Sequence, residues 1–213
     1  KLYLKIGREY KMLYLITNRH LVDAEKYYEV IKTLSTLGLK RIILREKDLS
    51  SNELEDIYVN IKNIIKDDTK IIINSDIALA RRVKAYGLHL SFNDFLKYKK
   101  QNLNDSFVLG VSVHSLDEAI LVEKLGADYI LASNIYETKC KEGLKGKGVV
   151  FLREIKEKTS IKVIALGGIT SKNINEVLEE KVDGVAIMST FMESQNIYED
   201  VKIFQSIIDE YSK

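Results

Sequence analysis

The feature that most constrains this chain is an alternation carried from one end to the other. Eight short runs rich in Ile, Val and Leu, over 12–17, 41–45, 70–74, 88–91, 107–112, 129–133, 162–166 and 184–189, are separated by longer amphipathic or polar stretches. Runs of this kind, apolar at nearly every position, suit strands buried on both faces. The intervening stretches have helical periodicity. Residues 24–37 put Ile31, Leu34 and Leu37 on one face, and 52–65 do the same with Leu54, Ile57, Ile61, Ile64 and Ile65. Ser115 followed by Asp117 and Glu118 predicts a helix N-terminus for 116–125, which Gly126 closes, and Thr170 is expected to cap a helix over 171–180. Eight strand-then-helix units in 213 residues predict one (β/α)8 barrel occupying 1–213 as a single domain. An open doubly wound sheet is the competing arrangement. It would carry a glycine-rich turn after its first strand, whereas Thr17-Asn18-Arg19-His20 contains no glycine.

Charge and cysteine content narrow the function. With 33 Lys+Arg against 31 Asp+Glu the chain carries no polyanion-binding signature, so a nucleic-acid partner is not expected. One cysteine excludes an internal disulfide framework and a multi-cysteine zinc site. No apolar run approaches the roughly 20 residues of a membrane-spanning helix, and 1–10 is too charged for a signal peptide, so a cytoplasmic enzyme with no membrane partner is expected. Of the 33 basic residues only 7 are Arg, so each arginine is more informative than a lysine.

A barrel of this kind builds its site where the strands end. Those ends carry Asn18; Arg45, Glu46 and Lys47; Asn74, Ser75 and Asp76; Ser91, Asn93 and Asp94; Ser112 and His114; the segment 133–147 with Asn134 and Thr138; Gly167 and Gly168; and Met188, Ser189 and Thr190. Helix capping alone accounts for part of this polarity. Gly167-Gly168 after the seventh strand and Met188-Ser189 after the eighth occupy the position where backbone N–H groups of such barrels hold a phosphate. Arg45 follows Ile42-Ile43-Leu44 at the barrel mouth, where a guanidinium suits a phosphate or carboxylate; an ion pair with Glu46 or Asp76 is the structural alternative. His89 lies inside a strand and reads as a satisfied core histidine, His20 lies in the first loop, and His114 is the acid/base candidate by position. The long segment 134–148, with several lysines and glycines, reads as a mobile lid or ligand loop, and Cys140 between two lysines as a pocket thiol.

The order of these motifs resembles the superfamily of thiamine phosphate synthases and TenI-type thiazole tautomerases, which are (β/α)8 barrels acting on thiazole phosphates. The matching segments are Leu44-Arg45-Glu46-Lys47, Asn74-Ser75-Asp76-Ile77-Ala78, Gly87-Leu88-His89-Leu90, Gly110-Val111-Ser112-Val113-His114-Ser115, Gly126-Ala127-Asp128-Tyr129, Ala165-Leu166-Gly167-Gly168-Ile169 and Asp183-Gly184-Val185-Ala186. The segment 137–148 is similar to the tautomerase branch. That resemblance implies an enzyme that aromatises a thiazole carboxylate phosphate by moving one proton, without a cofactor. Gly168 and Ser189 would hold the phosphate and Arg45 the carboxylate. The histidine of the tautomerase pattern falls on Asn134, leaving Glu46, His114 or Cys140 to move the proton. The synthase branch implies instead a Mg2+-dependent coupling of a pyrimidine diphosphate with a thiazole phosphate. Asp94, Asp76 and Lys141 would then manage magnesium and diphosphate, with Leu44 where that pattern has Gln and Ser75 where it has a magnesium-binding Asp. A third reading is a non-catalytic thiazole-phosphate-binding paralogue. Barrels of this type commonly pair, so a homodimer is one expected assembly.

Overall fold

The computed structural model describes residues 12–101, 105–138, 143 and 145–211. Eight parallel strands run β1 (Met12–Ile16), β2 (Arg41–Leu44), β3 (Lys70–Asn74), β4 (Gly87–Ser91), β5 (Val108–Val113), β6 (Tyr129–Ser133), β7 (Lys162–Leu166) and β8 (Gly184–Ile187). Each pairs with its sequence neighbour, and β8 pairs back onto β1 with Leu13 opposite Val185, which closes the barrel. The outer ring comprises α1 (Ala24–Thr36), α2 (Ser51–Ile64), α3 (Ile77–Arg82), α4 (Phe92–Lys100), α5 (Leu116–Lys124), α6 (Gly148–Lys158) and α7 (Ile174–Glu179). After β8 come a short α8 (Ser189–Met192) and α9 (Ile197–Glu210). No helix among the described residues is long and apolar enough to cross a membrane.

The apolar runs read as buried on both faces because successive side chains serve two different cores. Ile42, Leu44, Ile71, Ile73, Leu88 and Leu90 face outward and pack with helix residues such as Ile31, Leu34, Leu54 and Ile61. Tyr14, Ile43, Ile72, Tyr129, Leu131, Ile164 and Ala186 fill the barrel interior. This alternation fixes which polar residues reach the inside, because neighbours in sequence point to opposite sides of the wall.

Helix starts follow local side-chain chemistry. Ser50 and Glu53 form a reciprocal capping box at α2, Asp76 caps α3, and Ser115 caps α5 by accepting from the Glu118 N–H. Gly126 closes α5 at φ +80°, as its sequence position predicts. Two expectations need correction. Residues 170–173 are not helical: the Thr170 N–H donates to Asn173 Oδ1 at 2.8 Å, forming a turn, and α7 begins only at Ile174. The eighth strand stops at Ile187 rather than 189, because Met188 begins the short α8 turn.

Candidate active site

The C-terminal strand ends enclose a cavity of about 300 Å3. Ile16, Ile43, Leu131, Leu166 and Ala186 give it an apolar wall, and Arg45, Lys47, Asn74, Ser75, His89, Ser112, His114, Ser133, Asn134 and Thr138 give it polar groups. Gly167, Gly168, Met188, Ser189 and Thr190 complete the lining on the β7–β8 side. The structure therefore brings together Arg45, Lys47, Asn74, Ser112, His114, Asn134, Thr138, Gly167, Gly168, Met188 and Ser189, which lie far apart in sequence. Cys140 and Lys141 fall outside the described residues, as do parts of the expected lid.

The cavity is cationic. None of its described lining residues is an Asp or Glu. Among the described residues Arg45 makes no ion pair, which sets aside the structural alternative for it. Its guanidinium is close enough to Lys47 to hold that ammonium below the usual lysine range, with partial burial adding to the effect. Two cations with no carboxylate partner among the described residues thus stand at one strand end, an arrangement suited to holding an anion.

On the opposite side, the glycine pair is required by the backbone. Gly167 and Gly168 have φ of +111° and +63°. A Cβ on Gly167 would lie 2.8 Å from Asn134 Cβ, and one on Gly168 would lie 2.7 Å from the Glu137 carbonyl oxygen. The pair thus lets the segment after β6 lie directly against the β7 turn. Thr190 ties α8 to the same turn by donating its hydroxyl to the Ile169 carbonyl at 3.0 Å. The first N–H groups of α8 lie beyond the reach of any intrahelical acceptor and are available to an anion.

Three expected site residues lie elsewhere. Glu46 does not line the cavity. It is 5% exposed, with Oε1 accepting from the Tyr27 hydroxyl and Oε2 from the Arg19 N–H, both at 2.9 Å. The outward phase of the strand end aims it into the wall, where its charge and burial together push the Tyr27 phenol well above its usual range, burial contributing more. Asp76 is occupied as the α3 cap, accepting from the Leu79 N–H at 2.8 Å. Asp94 accepts from the Ser91 hydroxyl at 2.7 Å and from Lys97 at 3.2 Å, and these partners hold its carboxyl below the ordinary range. Leu44 likewise faces the helices, and Ile43 is the β2 side chain in the cavity.

A magnesium ion, which the synthase branch implies, needs hard oxygen donors turned toward the substrate. Ser75 offers a hydroxyl, and it already accepts from the Asn74 amide at 2.9 Å. Asp76 and Asp94 are engaged as described. Among the described residues no three His, Cys, Asp or Glu side chains gather into a metal site. The described donors do not fit a two-carboxylate magnesium site.

Two histidines face the cavity with different chemistry. His114 Nδ1 lies 2.8 Å from the Ser133 carbonyl oxygen, an acceptor only, so Nδ1 carries the proton and Nε2 is the basic nitrogen. His89, which the sequence suggests is a core residue, does have satisfied ring nitrogens, but it also lines the cavity. Burial, with a smaller contribution from Arg45, lowers its pKa to about 3 and keeps it neutral. The signal for its position was available: in β4 the inward phase is Gly87, His89 and Ser91, alternating with Leu88 and Leu90 outward.

Residues 13–191 match a family model described as thiamine monophosphate synthase. The chain is 31% identical over 206 residues to a thiamine-phosphate synthase of Clostridium acetobutylicum, covering 96% of this chain and 97% of that one. It is 33% identical over 204 residues to a thiamine-phosphate synthase of Pyrococcus abyssi, covering 95% and 97%. Among solved structures, a thiamine phosphate pyrophosphorylase from Pyrococcus furiosus superposes with a TM-score of 0.84 at 29% identity, covering 95% of this chain and 98% of that one.

Proposed function

Since the chain belongs to the thiamine monophosphate synthase family, we propose that it joins a pyrimidine carrying a methylene diphosphate to a thiazole phosphate, releasing pyrophosphate. The observation that carries this reading is a cavity with Arg45 and Lys47 at one side, a backbone anion cradle at Gly167-Gly168 and α8 on another, and no carboxylate among its described lining residues. Two phosphorylated substrates bring negative charge to two places, and the lining provides for both.

The bond changes ask little of an acid or base. The methylene C–O bond breaks and the diphosphate leaves with the electron pair. The thiazole nitrogen lone pair forms the new C–N bond, giving a thiazolium, and no proton is transferred. Protein groups are needed to stabilise the departing anion and to hold two flat rings face to face. Arg45 and Lys47 are suited to the first task, and Ile16, Ile43, Leu131, Leu166 and Ala186 to the second. An amide at Asn134 costs this reaction nothing.

The tautomerase reading is favoured by one observation. His114 presents a basic Nε2 in the same cavity and is the remaining described candidate once Glu46 is turned into the wall. Purified protein supplied with both substrates, and separately with the thiazole carboxylate phosphate tautomer, decides between them. Pyrophosphate release that requires both partners, measured with and without magnesium, supports the synthase. Ultraviolet-detected aromatisation that is lost in His114→Ala, with no pyrophosphate release, overturns it.

A further inference from the structure

Inside the barrel a hydrogen-bonded chain runs from the core to the cavity. Tyr129 Oη lies 3.2 Å from His89 Nδ1, and His89 Nε2 lies 2.8 Å from Ser112 Oγ, which lines the cavity. Tyr129 and His89 are each 2% exposed. The three residues come from β6, β4 and β5, and the side chain of Tyr129 reaches His89 across β5 only because residue 110 is glycine. Gly110 stands opposite His89 on one side and Tyr129 on the other, and a Cβ there would lie 2.0 Å from the Tyr129 ring.

The chain has a direction. Among the described residues Tyr129 Oη has one hydrogen-bond partner, His89 Nδ1. If Nδ1 carried the imidazole proton, the buried phenol proton would have no described acceptor. With the phenol donating to Nδ1, every member is satisfied: the imidazole proton sits on Nε2 and is donated to Ser112 Oγ, and the Ser112 hydroxyl proton points onward. We propose that Tyr129 and His89 orient Ser112 as a hydrogen-bond donor into the cavity, so that Ser112 selects a substrate atom that accepts a hydrogen bond. Tyr129 and His89 are positioning residues and need not touch substrate. Burial supports the arrangement by holding the phenol protonated and the imidazole neutral. The acceptor chemistry is shared by a diphosphate oxygen and a pyrimidine ring nitrogen. The proposal rests on the cavity being the substrate site, but its first test requires no substrate.

Nitrogen NMR of histidine-labelled, ligand-free protein reads the tautomers directly, with His20→Asn and His114→Asn used for assignment. His89 is expected as the neutral Nε2–H tautomer across pH 5–8, and His114 as Nδ1–H when neutral, an internal contrast that a generic buried imidazole would not give. His89 as Nδ1–H overturns the proposal whatever reaction the protein catalyses, and the two assignment variants leave Tyr129, His89 and Ser112 unchanged. Titration calorimetry with inorganic pyrophosphate and with the hydroxymethylpyrimidine then identifies the acceptor. Ser112→Ala should weaken one of them about tenfold or more, and Ser112→Thr, which keeps the hydroxyl, should retain it. Tyr129→Phe should weaken the same probe, with a loss that does not add to that of Ser112→Ala. Wild-type affinity of Ser112→Ala for both probes also overturns the proposal.

Discussion

Glu46 separates a structural from a catalytic role cleanly, because the sequence context favours catalysis and the geometry assigns support. Its two oxygens hold the Tyr27 hydroxyl and the Arg19 N–H, tying α1 and the loop after β1 to the end of β2. Tyr27→Phe removes one donor from a buried carboxylate. A hydrogen bond to a charged group is worth about 1.5–3 kcal/mol, and its loss here is not repaid by water. For a chain of this size about 2–4 °C of melting temperature accompanies each kcal/mol, so the midpoint should fall by roughly 3–12 °C. Glu46→Gln keeps an acceptor for the Arg19 N–H and exchanges the other bond for an amide–phenol contact, so it should cost less. The assay pairs thermal unfolding by circular dichroism with product formation measured well below each midpoint. If Glu46 only supports the strand end, both variants lose stability while kcat stays within about threefold of wild type, since no proton-transfer step has been removed. An unchanged midpoint in Glu46→Gln with kcat reduced about a hundredfold or more would refute the structural role and make Glu46 an acid or base.

Three further outcomes follow from the same geometry. Gly168→Ala forces a side chain into left-handed backbone and against the Glu137 carbonyl; a loss of about 2–4 kcal/mol in urea unfolding is expected, and wild-type stability would show that the turn is not held by this contact. Ser75 sits at φ +66°, a region that Asp tolerates, so Ser75→Asp should fold and should make turnover depend more steeply on magnesium than in wild type; equal dependence would mean that Ser75 is not what limits the metal. His89 binds its proton with a pKa of about 3 when folded and 6.5 when unfolded, so between these values the unfolded chain holds the extra proton and stability falls as pH falls. The slope from this group is about 1.4 kcal/mol per pH unit, and it should be absent from the difference between wild type and His89→Asn if the imidazole titrates normally in the fold.

The barrel was legible because burial on both faces leaves a periodic mark that eight strands repeat. The strand ends were legible as a set for the same reason: once the strands are located, polar residues after them have one place to go. What the sequence concealed was phase at those ends. Arg45, Glu46 and Lys47 are consecutive and equally polar, yet the pleat sends Arg45 and Lys47 to the cavity and Glu46 into the wall. The same alternation puts Ile43 inside and Leu44 outside. His89 looked like core because it lies inside a strand, and a strand position alone does not distinguish the barrel interior beneath a cavity from the layer under the helices. Carboxylates at helix starts, such as Asp76 as the α3 cap and Asp94 in the first turn of α4, share their chemistry with metal ligands, and only their hydrogen-bond partners separate the two roles.

The most direct test of the cationic cavity as the coupling site is a crystal structure of the protein with thiamine phosphate and pyrophosphate. Pyrophosphate held between Arg45 and Lys47, with the thiazole phosphate on the N–H groups of Gly168 and Ser189, is the expected result. Both anions bound outside this cavity, or a product whose phosphate lies against Arg45 with the Gly167-Gly168 cradle empty, would contradict it.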